Sequence, residues 1–207
     1  MDLAMQSHFS PILKWLSSAY IALLIFSSIE PYSRAVWIAE VIPAIVIFSG
    51  IWLMSNYHRF SPTAYFLMFI WLALHTIGAK YTFALVPFDC FNEFFDSSRN
   101  HFDRVAHYSI GLYAYPIAEY LISHKKMPYG FSVAFALFSI MSLAAGYEII
   151  EWWYAALAGG DEGIAFLGSQ GDVWDAQKDM LMDTLGAISS LILLTLQQRV
   201  FASNQAK

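Results

Sequence analysis

Three short stretches of this chain carry side chains able to do chemistry, at spacings that place each set on one helical face. Asp103 and His107 are four residues apart, and Glu148 and Glu151 are three apart. Asp172, Asp175, Asp179, Asp183 and Gly186 follow one another at intervals of 3, 4, 4 and 3. A helix beginning by Asp172 gathers these five within an arc of about 80° at 100° per residue. Carboxylate oxygens mixed with imidazole nitrogens suit Mg²⁺, Mn²⁺, Ca²⁺ or Zn²⁺. The pattern points to Asp103, His107, Glu148 and Asp179 as ligands of a divalent metal that activates water or a phosphate oxygen. Asp175 or Glu151 is then the general base. Lys80, Arg99, His101, Arg104, Gln170, Asp172, Gln177 and Asp183 are read as rim and support. Seven acids (Asp103, Glu148, Glu151 and the four aspartates from 172 to 183) stand against four bases, Lys80, Arg99, Arg104 and Lys178. In low dielectric that surplus is removed by protonation or by a bound cation.

The elements that position these groups are membrane spans. Of 207 residues, 58% are hydrophobic, 17% aromatic and only 13% charged, and the mean hydropathy is +0.50. A disordered chain is polar and aromatic-poor, so it is excluded. A soluble enzyme needs more surface charge than this. The net charge of −5 argues against a nucleic-acid partner. The single cysteine, Cys90, allows no intrachain disulfide and reads as inert. Twenty residues without Asp, Glu, Lys or Arg separate Arg59 from Lys80, and 21 separate Lys126 from Glu148. About 20 apolar residues cross a bilayer. The expected architecture is one all-α membrane domain over 1–207, with six spans near 12–29, 35–54, 61–80, 102–122, 130–153 and 175–197. Asn100 is the expected N-cap of the fourth. The first span reads as uncleaved, because its apolar run ends in Ile29-Glu30-Pro31 rather than a small-residue cleavage site.

Basic residues in short loops set orientation. Six spans put Lys14, Arg59, Lys125, Lys126, Arg199 and Lys207 on one side and Arg34, Lys80 and Arg99 on the other. Both termini are therefore expected in the cytoplasm, and all three polar clusters at the outer half of the membrane. Two long outer segments, about 81–100 and 155–171, are expected to be loops that cover or build the site. Glu40 and Glu119 are read as lying apart from the cluster. His75 joins Lys80 at its rim, and His8, His58 and His124 sit at the cytoplasmic interface. Phe83, Phe88, Phe91, Phe94 and Phe95 are expected at the lipid headgroups.

Several blocks between residues 80 and 186 resemble the YjdF-like family of bacterial inner-membrane proteins. They are Lys80-Tyr81-Thr82-Phe83-Ala84 with Val86-Pro87, Arg99-Asn100-His101-Phe102-Asp103-Arg104 with His107, and Tyr147-Glu148 with Glu151-Trp152. The most specific is the run from Phe166 to Gln177, which contains Gln170-Gly171-Asp172-Val173-Trp174-Asp175-Ala176-Gln177. A looser likeness is to the VanZ-like membrane proteins, through Asp103-Arg104 with His107 and through Asp179, Asp183 and Gly186. Asp183 departs from the asparagine of that second pattern. The first resemblance implies an inner-membrane location, and the second a link to the bacterial envelope and glycopeptide tolerance. Three functions accommodate these residues. One is a metal-dependent hydrolase or transferase acting on an envelope lipid or lipid-linked substrate at the membrane surface. Another is a cation- or proton-binding module or transporter, and the third is a polar cluster that only locks helices together. Transport ranks below the enzyme because the chain has no internal repeat and its acids gather in one leaflet. Membrane lipids are the expected partners; the substrate, the identity of a metal and the oligomeric state have no signature in the sequence.

Overall fold

The computed structural model describes residues 10–94, 98–125 and 127–205. His8, Phe95, Asp96, Lys126 and Lys207 lie outside them. Every regular element among the described residues is helical. In order they are α1 (Pro11–Ser28), α2 (Arg34–Ser55), α3 (Pro62–Tyr81), α4 (Asp89–Phe94), α5 (Phe102–Gly111), α6 (Ala114–Ser123), α7 (Tyr129–Ala158), α8 (Gly160–Leu167) and α9 (Asp175–Gln205). The starts follow local chemistry. Proline opens α1 and α3, where its missing N–H costs nothing. The Ser33 and Ser61 hydroxyls accept from the Val36 and Ala64 N–H groups at 3.3 and 3.1 Å. Helices α1, α2, α3, α7 and the 175–200 part of α9 are each long and apolar enough to cross a membrane. Large apolar side chains face outward, among them Ile25, Phe131, Leu143 and Leu157, while Ala114, Ala118, Ala136 and Ala187 are fully buried. Small residues inside and bulky ones outside are the arrangement lipid selects. The chain is a helical membrane bundle.

The fourth expected span is broken. Residues 102–123 form α5 and α6, joined by a tighter turn at Leu112-Tyr113. The cause is Pro116, which has no N–H to return to the Leu112 carbonyl and whose ring crowds it. Tyr115 N–H takes that carbonyl instead, at 3.1 Å. The two pieces still run the length of the bundle. Asp103 on α5 lies beside the start of α9, whereas Glu119 on α6 reaches the start of α3, accepting from the Ser61 N–H at 2.8 Å. Both long segments read as loops also hold helix: a 3₁₀ turn at Phe83–Leu85 and α4 in the first, and the end of α7 and α8 in the second.

Among the described residues, α5 and α9 make the most extensive helix–helix contact. Two glycines allow it. A Cβ on Gly111 would strike the Asp183 carbonyl, and one on Gly186 would strike the Tyr108 carbonyl. Close backbone approach at small residues is the usual route to tight association in lipid. Here it brings His107 and Asp183 face to face.

Candidate functional site

At one end of the bundle α2, α3, α5, α7 and α9 surround a cavity of about 140 Å³. One wall is acidic. His107 Nδ1 lies 3.3 Å from Asp183 Oδ1, and Asp183 is 1% exposed. That contact fixes the ring with Nδ1–H toward Asp183 and directs Nε2 at Asp103 Oδ1, 3.7 Å away, and Asp179 Oδ1, 3.9 Å away. One donor atom from each of Asp103, His107 and Asp179 lies within 4.8 Å of the others. Ligand atoms about 2.1 Å from a common ion sit roughly 3.0–3.4 Å apart. The two His107 contacts, at 3.7 and 3.9 Å, lie about 0.3–0.9 Å beyond that spacing, so the trio encloses an ion only by drawing together. A carboxylate that orients a histidine through its far nitrogen is the usual outer support of such a site.

Arginines hold the acidic wall in place. Arg104 Nη2 donates to Asp175 Oδ1 at 2.5 Å, its Nη1 reaches the Asp175 carbonyl at 3.2 Å, and Nη1 also grips Asp179 Oδ1. Arg99 adds a bond to Asp175 Oδ1 at 2.6 Å and one to the Ser169 carbonyl at 2.6 Å. Asp175 is thus committed to two guanidinium groups and lies outside the cavity lining. The Gln170 side-chain amide clasps the Asn100 backbone, its Oε1 accepting from the Asn100 N–H at 2.9 Å and its Nε2–H donating to the Asn100 carbonyl at 3.0 Å. The helix N-cap is His101, one residue later than expected. Asn100 Oδ1 still accepts from the Phe102 N–H at 3.0 Å. Burial, then Arg99 and Arg104, hold the His101 imidazole below its ordinary value.

The second wall holds His75, expected at the rim, and two residues that were not expected there, Glu40 and Tyr147. Glu40, 1% exposed, receives the Tyr147 hydroxyl on Oε2 at 2.8 Å. Its Oε2 lies 3.3 Å from His75 Nε2, which also meets the Glu40 carbonyl at 2.9 Å. His75 stacks on Trp71 with ring centroids 4.6 Å apart. Glu40, His75 and Tyr147 all line the cavity. The reading of Glu40 as remote is corrected. A second span descending from the same side as Asp103 carries residue 40 within two turns of that side, so the expected topology already contained the answer. A lone acid in an apolar span was the signal. Glu119 is indeed elsewhere, capping α3 at the opposite end with His58 3.5 Å away.

Other residues sort by helix face. On α7, Ile140, Leu143, Ala144, Tyr147 and Glu151 line the cavity, a spacing of one continuous face. Glu148 is one step off that face, half-buried and outside the lining. It remains within electrostatic reach of His107, Asp179 and Asp183. Lys80 is not at the rim. Its ammonium donates to the Ile29 carbonyl and sits 4.8 Å from the Phe26 ring centre, tying α3 to the end of α1. Gln177 is exposed. Because α9 starts at Asp175, Asp172 precedes the helix rather than joining its stripe. Its carboxylate accepts from Lys178 Nζ at 2.6 Å and the Trp174 N–H at 3.0 Å, and these hold its pKa below the ordinary value. A depressed folded pKa contributes stability above the unfolded value, near 3.9, that fades as pH falls through the folded one. Asp172→Asn is therefore expected to lower thermal stability by a constant, small amount from pH 5 to 8, with the difference vanishing in stronger acid. Thermal unfolding in detergent across pH 3–8 checks this.

Comparison with known proteins agrees with the membrane architecture. The family model described as "Predicted membrane protein (DUF2238)" matches residues 12–199. The inner membrane protein YjdF of Escherichia coli strain K12 is 34% identical over 176 residues, covering 83% of each chain. No solved structure matches. With five membrane-length helices among the described residues, the chain is a multi-pass inner-membrane protein, and the match over nearly its whole length makes it a member of the DUF2238 family.

Proposed function

We propose that this protein is a membrane-embedded enzyme that holds a divalent cation on Asp103, His107 and Asp179 and acts on the phosphate-bearing head of an envelope lipid or lipid-linked substrate. The observation that carries the reading is His107. Its Nδ1 is engaged by Asp183 and its Nε2 faces two carboxylate oxygens at 3.7 and 3.9 Å, too far for hydrogen bonds and near enough to close on a shared ion. An imidazole among the donors favours Mn²⁺ or Zn²⁺ over Ca²⁺. The cavity favours a cation on charge as well. Glu40, Asp103, Glu151, Asp179 and Asp183 line it, and of these Asp103 and Asp179 meet arginines. Bound there, the ion supplies Lewis-acid polarisation of a phosphate oxygen or an activated water.

Of the two candidate bases, Glu151 suits the role, because it lines the cavity while Asp175 is held by Arg99 and Arg104. Glu148 lies outside the cavity lining and the ligand trio, so a solvent or substrate oxygen would have to complete the set. The excess of basic residues in the loops at the opposite end argues that the site opens on the outer half of the membrane. The experiment is metal analysis of the protein purified in detergent. One Mn²⁺ or Zn²⁺ per chain is expected. Removing the orienting carboxylate in Asp183→Asn should weaken affinity about 10–100-fold, while His107→Ala should abolish stoichiometric binding. Equal metal content in wild type and His107→Ala would leave a proton-binding or helix-locking cluster as the better account.

A further inference from the structure

Two helices that flank the cavity, α2 and α7, do not pack closely on each other. Helix α8 joins them at the site end, packing on both, and its Phe166 closes over the cavity against Tyr154, ring centroids 4.0 Å apart. Beyond α8 the seam is lined by Pro43 and Ile47 from α2 and by Ile140, Leu143 and Ala144 from α7. Its outer lip, Leu143, lines the cavity yet is 61% exposed on the face that meets lipid. A hydrogen bond from Tyr147 to Glu40 bridges the seam where the apolar stretch meets the acidic wall.

The volume selects the occupant. About 140 Å³ is close to the engineered cavity that takes one benzene and far below a pocket that encloses a whole small-molecule ligand. Only a head group's neighbouring carbons fit, so the rest of a long chain must stay outside, in an apolar medium. The seam supplies that medium. We propose that α2 and α7 form a lateral portal through which the hydrocarbon chain of one membrane phospholipid passes, its first carbons between Ile47 and Ala144 and its phosphate at the acidic wall. The phosphate placement rests on the metal reading above, since without a cation the carboxylates would repel an anionic head; the portal itself does not.

The test uses the full chain in phosphatidylethanolamine–phosphatidylglycerol vesicles doped with phosphatidic acid carrying a diazirine near the carboxyl end of one acyl chain. After illumination, adducts are mapped by mass spectrometry. Labelling is expected on Ile140 and Ala144, which are 1% and 6% exposed and out of reach of surrounding lipid. Ile47→Trp should reduce those adducts about tenfold and leave labelling of the surface residue Phe138 unchanged. Leu143→Trp, at an exposed position, gives the same comparison where Ile47→Trp does not accumulate, and Val46→Trp serves as the surface control. Adducts confined to surface residues in wild type, or inner adducts undiminished by both portal substitutions, would overturn the portal. Inner adducts that persist in EDTA, in a protein without metal, would retain the portal and remove the cation. Normal metal content without inner adducts would do the reverse.

Discussion

Arg104→Met is expected to cost about 3–5 kcal/mol of stability, the range for removing one partner from a buried charge network. The side chain is 10% exposed and holds the Asp175 carboxylate and carbonyl together with Asp179, all on α9. Without it, Arg99 still reaches Asp175, but Asp179 is left facing Asp103 and the rest of the acidic wall. Arg104→Lys should recover only part of the loss, because one ammonium cannot span the carboxylates that the planar guanidinium bridges. Unfolding in mixed micelles by increasing SDS measures both variants. Arg104→Met within about 0.5 kcal/mol of wild type, the ordinary scatter of surface substitutions, would mean that the arginine does not hold α5 to α9.

The second large effect is expected at the glycine contact. Gly186→Val places a branched side chain where the Tyr108 carbonyl already stands. Backbone cannot yield as a side-chain tip can, so the helices must separate. Overpacking of this kind costs about 1–3 kcal/mol and more when backbone must move. The site suffers further, because Asp183 is one turn from Gly186 and His107 one turn from Gly111, and their 3.3 Å contact depends on the approach. Gly186→Val should lose metal affinity about 10–100-fold, as expected for loss of an orienting partner. Gly50→Ala is the control. A Cβ there meets nothing within 4 Å, and alanine gains about 1 kcal/mol of helix propensity. Metal titration and size-exclusion profiles of the two variants in detergent separate a specific contact from general sensitivity to glycine replacement. Wild-type metal affinity in Gly186→Val would contradict the link between the α5–α9 approach and the site.

The parts of this site that were legible in the sequence are those carried by one helix at a time. Asp103 with His107, and Asp179 with Asp183, announce shared faces through their four-residue spacing, and the structure brings those faces together. What could not be read is how faces from different helices meet. Glu148 and Glu151 look like a pair, yet the face of α7 that turns inward runs through Ile140, Ala144, Tyr147 and Glu151. Packing chose that face, and Glu148 falls beside it. Asp172 fits the periodic stripe in sequence but lies before the helix, where its Asx-type contact with the Trp174 N–H stabilises the turn. The break between α5 and α6 is written in Pro116, but hydropathy is blind to a missing N–H while hydrogen bonding is not. Tyr147 had no periodic partner of its own type to mark it. Its role exists only because Glu40 stands opposite on a helix more than one hundred residues earlier in the chain.

The central claim is that the His107 Nε2 and the Asp103 and Asp179 carboxylates share one cation. Pulsed electron paramagnetic resonance of Mn²⁺-loaded protein in detergent reads this directly, through the coupling of the manganese to a ligating nitrogen. One directly bound imidazole nitrogen is expected at one Mn²⁺ per chain, lost in His107→Ala and altered in Asp183→Asn. A spectrum of hydrated Mn²⁺ with no nitrogen coupling, the same in wild type and His107→Ala, would contradict the account.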